Sequence, residues 1–314
     1  MRAASSLQIE LLLLAFLAVL WGSSYLFIKI AVIEIPPVTL IAARVLGAAM
    51  FLHIVIFFRG ERLPRDRRTW GMLGIQAILN SIGAWTILAW GQQFVDAGLA
   101  SVLNSTSPIF VCLFAALFAH DTLGSRKLLG AGIGIFGVVL IVGINALRGL
   151  GDQVAGQVAC LAGAALYAGA AIYGKRFGHI GVAATAAGTM TWATIVLVPA
   201  ALVIEKSWTL SPSTRAVAAT LVLSVFCTGI ALLVYFRLVR TLGSLGVASQ
   251  SYLRAGVGVL LGTFFLGETL SLLVAIGLAG AILGVALINW PTRTSPEANR
   301  PPIKVGAVRS RKQA

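Results

Sequence analysis

Three glycines with the spacing of a dinucleotide-binding turn are the first residues whose pattern suggests chemistry. Gly132, Gly134 and Gly137 spell G-x-G-x-x-G within residues 120–137. That motif binds NAD where it follows a strand, opens a helix and precedes an acidic residue by about 20 positions. Here it lies inside a long apolar run. We therefore predict that these glycines pack helices together and that the chain binds no cofactor.

Charged side chains inside apolar runs are better candidates for function, because burying them in a membrane is costly. Arg44 and Arg254 each lie about 10–12 Å inside a predicted helix, at about 1.5 Å of rise per residue. Either guanidinium could hold a substrate carboxylate. A bond to backbone carbonyls or to a nearby acid such as Glu34 is the alternative.

Polar and aromatic residues on the same runs could line a cavity. Two similar polar stretches, ASVLNSTSP at 100–108 and ASQSYLRAGVG at 248–258, carry amide and hydroxyl groups into the membrane. Tryptophan and tyrosine rings could add an apolar cage that accepts varied side chains. The predicted substrate-binding residues are Arg44, Asn80, Trp85, Asn104, Tyr167, Gln250, Tyr252 and Arg254.

Several kinds of chemistry lack the residues they need. All ten acidic residues fall at the ends of apolar runs, in loops or in the tail, so no mid-span carboxylate could relay protons or bind Na⁺. The three cysteines stand far apart, without a CxxC pattern or a nearby histidine, so we predict neither a disulfide nor a metal site. No mid-span cluster of paired acids, paired histidines or serine with histidine occurs. An enzyme of the membrane is therefore disfavoured.

The elements that must position these residues are membrane-spanning helices. The chain is 58% hydrophobic and 11% charged, with a mean hydropathy of +0.94, unlike a soluble domain. A bilayer core of about 30 Å needs roughly 20 apolar residues per helix. Ten stretches qualify: 11–33, 37–58, 69–91, 97–119, 127–145, 154–174, 181–204, 216–239, 246–266 and 271–290. Residues 291–314 are rich in Pro, Ser and basic residues, which predicts a disordered tail.

The formal charge of +14 is explained by membrane topology. With a cytoplasmic N-terminus, eighteen of the 24 Lys and Arg residues fall on the inner side, three on the outer side and three within spans. This is the positive-inside pattern. It predicts that both termini and the basic tail are cytoplasmic and that the basic residues contact anionic lipid. The charge then gives no reason to expect a nucleic-acid partner.

A repeat divides the ten predicted helices into two halves. HDTLGSRKLLGAGIGIFGVVLI at 120–141 aligns with GETLSLLVAIGLAGAILGVALI at 267–288, so that Gly137 meets Gly284. Five helices is an odd number, so the second half should enter the membrane upside down relative to the first. Such inverted repeats place the substrate at their interface near the midplane. We predict five-helix repeats over 1–148 and 149–290.

The chain resembles the EamA family of the drug/metabolite transporter superfamily in three features. These are the two five-helix halves, the run WGSSYLFIK at 21–29, and a Gly-rich closing helix in each half that begins with Asp/Glu-Thr-Leu. The resemblance covers residues 10–290. It implies a polytopic carrier for small metabolites, often an exporter. Within the family the chain is most similar to exporters of aromatic and neutral amino acids of the YddG type. Asp121 stands where the family usually has Glu.

Helix-weakening residues predict where such a carrier would bend. Pro108 removes a backbone hydrogen bond beside the polar stretch of the fourth helix, and Gly256 lies beside that of the ninth. Gly83 and Gly229 occupy matching mid-span positions in the third and eighth helices. We predict hinges at these four residues, with close packing as the alternative for Gly83 and Gly229. The fifth and tenth helices should stay fixed, because their glycines permit close approach.

The sequence therefore predicts an all-α, multi-pass exporter of the bacterial inner membrane that works by alternating access and is not an enzyme. The expected substrate is an aromatic or neutral amino acid, membrane lipid is the other expected partner, and a monomer would suffice. A carrier of nucleotide sugars or sugar phosphates is the alternative within transport, although two separate arginines fit a phosphate group poorly. An integral-membrane enzyme or a sensor would be an alternative of a different class.

Overall fold

The computed structural model describes residues 2–118, 125–147, 151–178, 180–241, 250–269 and 272–289. Regular structure in these ranges is helical, and no β-strand occurs in them. The predicted all-α class is confirmed. The predicted tail at 291–314 and Asp121 lie outside the described residues, and the boundary between the two predicted repeats stays a prediction.

The helices of the described part are numbered α1 to α10 in chain order, and three of them change geometry along their length. The regular ones are α1 (Arg2–Val32), α2 (Pro37–Arg59), α5 (Ser125–Leu147), α6 (Asp152–Gly174), α7 (Val182–Ile204), α9 (Gln250–Leu266) and α10 (Leu272–Asn289). The others are α3 (Arg67–Ala77, Ile78–Ala84 and Trp85–Gly91), α4 (Ala97–Ser105 and Ser107–Phe118) and α8 (Thr214–Ser224, Val225–Ile230 and Ala231–Thr241).

Seven of the described helices, α1 to α4 and α6 to α8, are long and apolar enough to cross a bilayer. Shorter apolar stretches lie in α5, α9 and α10, at Leu128–Leu140, Leu253–Leu266 and Ala275–Gly284. The chain is thus a multi-pass membrane protein. A total of ten spans, and the side of the membrane on which each terminus lies, stay predictions.

Helices α5 and α10 touch along their backbones. A Cβ atom added to Gly284 would lie 2.5 Å from the carbonyl oxygen of Gly130, and one added to Gly137 would lie 2.5 Å from that of Gly277. Only glycine fits at such positions. The predicted close packing of these two helices is confirmed. Gly132, by contrast, is exposed, and a Cβ added there would meet no atom within 4 Å.

Helices at the same position in the two predicted halves pack against each other: α2 on α7, α4 on α9 and α5 on α10. Each pair is antiparallel. The residue after α7, Glu205, reaches Thr39 near the start of α2, and Glu268, just after α9, reaches Ala97 at the start of α4. Other contacts also follow the predicted repeat. Helix α1 packs on α8 and α9, and its counterpart α6 packs on the corresponding helices α3 and α4.

Helices α3 and α8 each contain a π-helical segment, Ile78–Ala84 and Val225–Ile230. These segments hold Gly83 and Gly229, the two matching positions that the sequence predicted as hinges. π-Helical turns are rare and occur frequently at functional sites. A Cβ added to Gly83 would lie 3.1 Å from Leu166 Cδ1 of α6, and one added to Gly229 would meet the ring of Phe51 in α2, so close packing, the alternative, also holds at both positions.

Helix α4 is interrupted next to its proline. Thr106 is in a turn, its N–H donates to the carbonyl of Leu103 at 3.3 Å, and the second helical stretch begins one residue before Pro108. Proline has no N–H with which to continue the hydrogen-bond ladder, in agreement with an interruption at this place. Helix α9, in contrast, runs through Gly256 without a break, and Gly256 has open space around it.

Two carboxylates of the second half bind the N-terminal ends of helices in the first half. Glu205 accepts bonds from the N–H and the hydroxyl of Thr39 at 2.6 and 2.7 Å. Glu268 accepts bonds from the N–H groups of Ala97 and Gly98 at 2.7 and 2.9 Å. Free N–H groups and the helix dipole make these ends favourable for negative charge. The halves are therefore held together at this end by charged helix caps.

Glu34 makes the reciprocal contact from the first half to the second. It follows α1 and accepts bonds from the N–H and the hydroxyl of Ser213 at 2.6 and 2.7 Å, and Ser213 is the N-cap of α8. The sequence left open that Glu34 is the partner of Arg44. That alternative is wrong, because Glu34 binds Ser213 instead.

We expect the Glu34 contact to stabilise the protein at neutral pH and to fail in acid. Hydrogen bonds from Ser213 and the charge of Arg215 hold the pKa of Glu34 below its ordinary value of 4.5. A carboxylate whose pKa is lower in the folded state stabilises that state above the unfolded pKa, and the contribution disappears as the pH falls through the folded pKa. The parent should melt at a higher temperature than Glu34→Gln at neutral pH, and the difference should shrink once the pH falls below 4.5 and disappear below the lowered pKa of the folded state. Thermal unfolding of both purified proteins across this range checks this, and a difference that persists unchanged in acid would contradict it.

Candidate functional site

Arg44 lies in α2 and is buried, with 4% of its surface exposed. Its Nε–H donates to the Oγ1 of Thr228 in α8 at 2.9 Å. Its guanidinium carbon lies 3.9 Å from the ring centre of Trp85 in α3, a cation–π contact. No carboxylate of the described residues forms an ion pair with Arg44. A buried cation without a counter-charge attracts anions strongly.

Tyr167 in α6 extends this cluster. The indole N–H of Trp85 donates to the hydroxyl of Tyr167. That hydroxyl lies in the electrostatic field of both Arg44 and Arg254. The two aromatic residues predicted to form a cage are thus brought together with Arg44, although the three residues come from three different helices.

Three predicted site residues carry buried polar atoms without a partner in the described part of the chain. Asn104 in α4 is buried and donates from Nδ2 to the hydroxyl of Tyr25 in α1 at 2.7 Å, and Tyr25 acts electrostatically on Tyr167. Within the described part of the chain, Asn104 Oδ1, Gln250 Oε1 and Arg254 Nε are buried without a hydrogen-bond partner. An unpaired buried polar atom costs about 1–3 kcal/mol. A ligand that pairs with these atoms would recover that free energy.

For three of the predicted site residues, Asn80, Gln250 and Tyr252, the described residues give no contact with this cluster. Asn80 lies in the π-helical segment of α3 and its Nδ2 donates to the Oγ of the adjacent Ser81 at 3.2 Å. The side chain of Tyr252 lies outside the described residues.

Sequence reasoning did not select Thr228 or Tyr25 as site residues. Thr228 directly precedes Gly229, one of the two matching mid-span glycines. This position could have identified Thr228 as a site residue from the sequence. Tyr25 lies in the polar run WGSSYLFIK. Neither residue carries a charge, and so neither is conspicuous in an apolar segment.

The arrangement can bind an anionic group in aromatic surroundings. The Arg44 guanidinium group lies against the Trp85 ring, and the Tyr167 hydroxyl accepts from the Trp85 indole and can itself donate. No group of His, Cys, Asp or Glu side chains among the described residues could hold a metal ion. The groups of this cluster can recognise a ligand by charge and by hydrogen bonds.

The profile of the EamA-like transporter family matches the chain twice, over residues 8–143 and 154–290. The chain belongs to the EamA-like transporter family. The resemblance drawn from the repeat and its closing helices is confirmed, with two copies of the family domain. The cluster around Arg44 is accordingly a candidate substrate site of a membrane transporter.

Two of the relatives are named as a transporter and as an exporter. The chain is 32% identical over 276 residues to the uncharacterized inner membrane transporter YedA of Escherichia coli strain K12, covering 87% of this chain and 88% of the relative. It is 26% identical over 282 residues to a "Probable terminal-alkyne amino-acid exporter" of Streptantibioticus cattleyicolor, covering 89% and 93%. The prediction of a multi-pass protein of the bacterial inner membrane is confirmed by these relatives and by the apolar helices.

A solved structure shares the fold. A crystal structure of another protein aligns with a TM-score of 0.61 at 20% identity, covering 92% of this chain and 98% of that chain. At this level of identity the match describes the arrangement of helices alone.

Proposed function

We propose that this transporter exports small metabolites that carry a carboxylate, with aromatic and neutral amino acids as the leading class. The cluster of Arg44, Trp85 and Tyr167 carries this proposal, because it places a buried cation, without a carboxylate partner among the described residues, against an aromatic wall. The carboxylate of an amino acid would pair with the guanidinium group. The relative named as an amino-acid exporter supports the same class.

The groups around the cluster suit the rest of an amino acid. Its ammonium group needs hydrogen-bond acceptors, and Asn104 Oδ1 and Gln250 Oε1 are buried acceptors without a partner in the described part of the chain. An aromatic or aliphatic side chain would be accommodated by the rings of Trp85 and Tyr167. Within this proposal Arg254 is a second group for the carboxylate, while Asn80 and Tyr252 keep their predicted lining role.

A sugar-phosphate or nucleotide-sugar carrier is the second candidate. In the sequence, two separate arginines on different helices argue against a phosphate substrate. In the structure, Arg44 and Arg254 both act electrostatically on the hydroxyl of Tyr167. Two guanidinium groups near one hydroxyl would suit a phosphate dianion. We favour the amino acid because the unpaired amide oxygens would repel a phosphate and accept from an ammonium group.

We propose an inverted repeat with both termini in the cytoplasm. The antiparallel pairs α2 with α7, α4 with α9 and α5 with α10 support it, since a repeat related by an axis along the membrane normal would make such pairs parallel. Topology reporters fused after Gly60 and after Gly151 should report opposite sides of the membrane, the first cytoplasmic. The same side for both fusions would contradict the inverted repeat.

We further propose alternating access, with bending at irregular points of the helices. The π-helical segments of α3 and α8 and the interruption of α4 beside Pro108 support bending there, because locally weakened hydrogen-bond ladders are sites of kinks. Gly256 in α9 would contribute by its conformational freedom. The backbone contact of α5 and α10 supports their role as the static pair.

Transport into proteoliposomes tests the function directly. Labelled phenylalanine, tryptophan, leucine, glucose 6-phosphate and a nucleotide sugar are offered separately, with and without a pH gradient. We expect uptake of the amino acids and competition by unlabelled amino acid but not by its methyl ester, which lacks the negative charge. Transport of the phosphate compounds alone would favour the second candidate. Uptake of none of these compounds would count against the proposed substrate class.

A further inference from the structure

The two π-helical segments, in α3 and α8, lie in different halves of the chain. One side chain contacts residues within or next to both of them. Arg44 in α2 stacks on Trp85, the residue that directly follows the segment Ile78–Ala84. It also donates to Thr228, which lies inside the segment Val225–Ile230. A single guanidinium group therefore contacts α3 and α8 where both depart from α-helical geometry.

Thr228 is bound to its own π-helical segment as well as to Arg44. Its hydroxyl donates to the carbonyl of Leu223, five residues earlier, at 2.8 Å. Threonines in the regular part of the same helix donate four residues back, as Thr220 does to Ala216 at 2.9 Å. The hydroxyl of Thr228 thus follows the i to i−5 spacing of the π-turn. It accepts from Arg44 with one lone pair while its proton supports the π-helical backbone.

We infer that Thr228 is a positioning residue that couples the occupancy of Arg44 to the π-helical segments of both halves. When an anion pairs with the guanidinium group, the planar group must turn toward it, because paired donors bind a carboxylate in its plane. Turning changes the bond to Thr228 and the stacking on Trp85 together. Both helices thereby respond to the same binding event. The inference rests on the proposed function for its transport consequence, but the coupling itself belongs to the empty protein.

Hydrogen exchange of the purified protein without any substrate tests the coupling. Thr228→Val removes the hydroxyl and keeps the side-chain shape, and Thr228→Ser keeps the hydroxyl. We expect Thr228→Val to raise amide exchange in residues 225–230 and also in residues 78–84, by about tenfold, the equivalent of one hydrogen bond to a charged group. Thr228→Ser should resemble the parent.

Thr220→Val is the matched control, because it removes a buried threonine hydroxyl from the same helix but from a regular α-helical turn. It should change exchange near residue 216 only. Arg44→Gln breaks the same link from the other side and should raise exchange in both segments even if Thr228→Val folds poorly. Exchange in residues 78–84 that matches the parent in both Thr228→Val and Arg44→Gln would overturn the inference.

Transport measurements separate this inference from the proposed function. With a substrate identified in proteoliposomes, Thr228→Val should slow transport about tenfold while its Kd stays within about threefold of the parent. A loss of affinity that accounts for the whole loss of transport would show that Thr228 only shapes the binding site, and would overturn the coupling. If the parent transports no compound of the panel, the proposed substrate class fails, whereas the exchange result still decides the coupling.

Discussion

Gly284→Leu is expected to prevent stable folding or membrane insertion. An added Cβ at this position would already lie 2.5 Å from the Gly130 carbonyl oxygen of α5, and a leucine adds three further carbon atoms. The obstacle is backbone, which cannot turn aside as a flexible side chain can. Forcing α5 and α10 apart should cost about 3 kcal/mol or more, the upper range for overpacking a core. The yield of folded protein and its melting temperature measure the effect.

Gly132→Leu is the control for this substitution. It makes the same change in α5, but at an exposed position where an added Cβ meets nothing within 4 Å. Leucine is also a better helix former than glycine by about 1 kcal/mol. Gly132→Leu should therefore fold as well as the parent. Equal stability of Gly284→Leu and Gly132→Leu would show that α5 and α10 are not the fixed pair we describe.

Arg44→Gln is expected to reduce transport by at least about 30-fold, since losing one partner of a buried charge pair costs about 2 kcal/mol or more. The melting temperature should be retained, because the Thr228 hydroxyl keeps its bond to the Leu223 carbonyl. The substitution also removes a buried cation that has no carboxylate partner among the described residues. Arg44→Lys should recover little, because lysine lacks the planar group that stacks on Trp85. Uptake and melting temperature are measured on the same preparations.

Arg59→Gln provides the matched control, since Arg59 is in the same helix α2 but has an exposed side chain, 3.9 Å from Glu61. Exposed pairs of this kind contribute little, so uptake should stay at the parent level. Transport by Arg44→Gln at the parent rate would remove Arg44 from the substrate site. A fall in melting temperature that parallels the fall in transport would assign Arg44 a structural role instead.

The hinge predictions show how far local sequence signals reach. Gly83 and Gly229 were chosen because they match between the halves, and both lie in π-helical segments. The break in α4 lies beside Pro108, whereas α7 continues through Pro199. Gly256, chosen by the same reasoning about weak helices, lies in an unbroken helix. A glycine permits irregular geometry without imposing it, so its neighbours decide whether a helix departs from the regular form.

The amino-acid sequence by itself determined that this chain is helical, crosses the membrane repeatedly, and pairs α5 closely with α10. In hydrocarbon each backbone group must bond within its own segment, so the helical and membrane-spanning character is local, whereas the repeat and the small residues at helical spacing marked α5 and α10 for close contact. Only the tertiary structure decided which polar groups meet. Thr228 is 184 residues from Arg44, and their contact depends on how α2 and α8 are rotated about their axes. The same applies to Glu34, which is near Arg44 in the chain yet binds Ser213, because the start of a distant helix offers a carboxylate more free N–H groups than its own neighbours do.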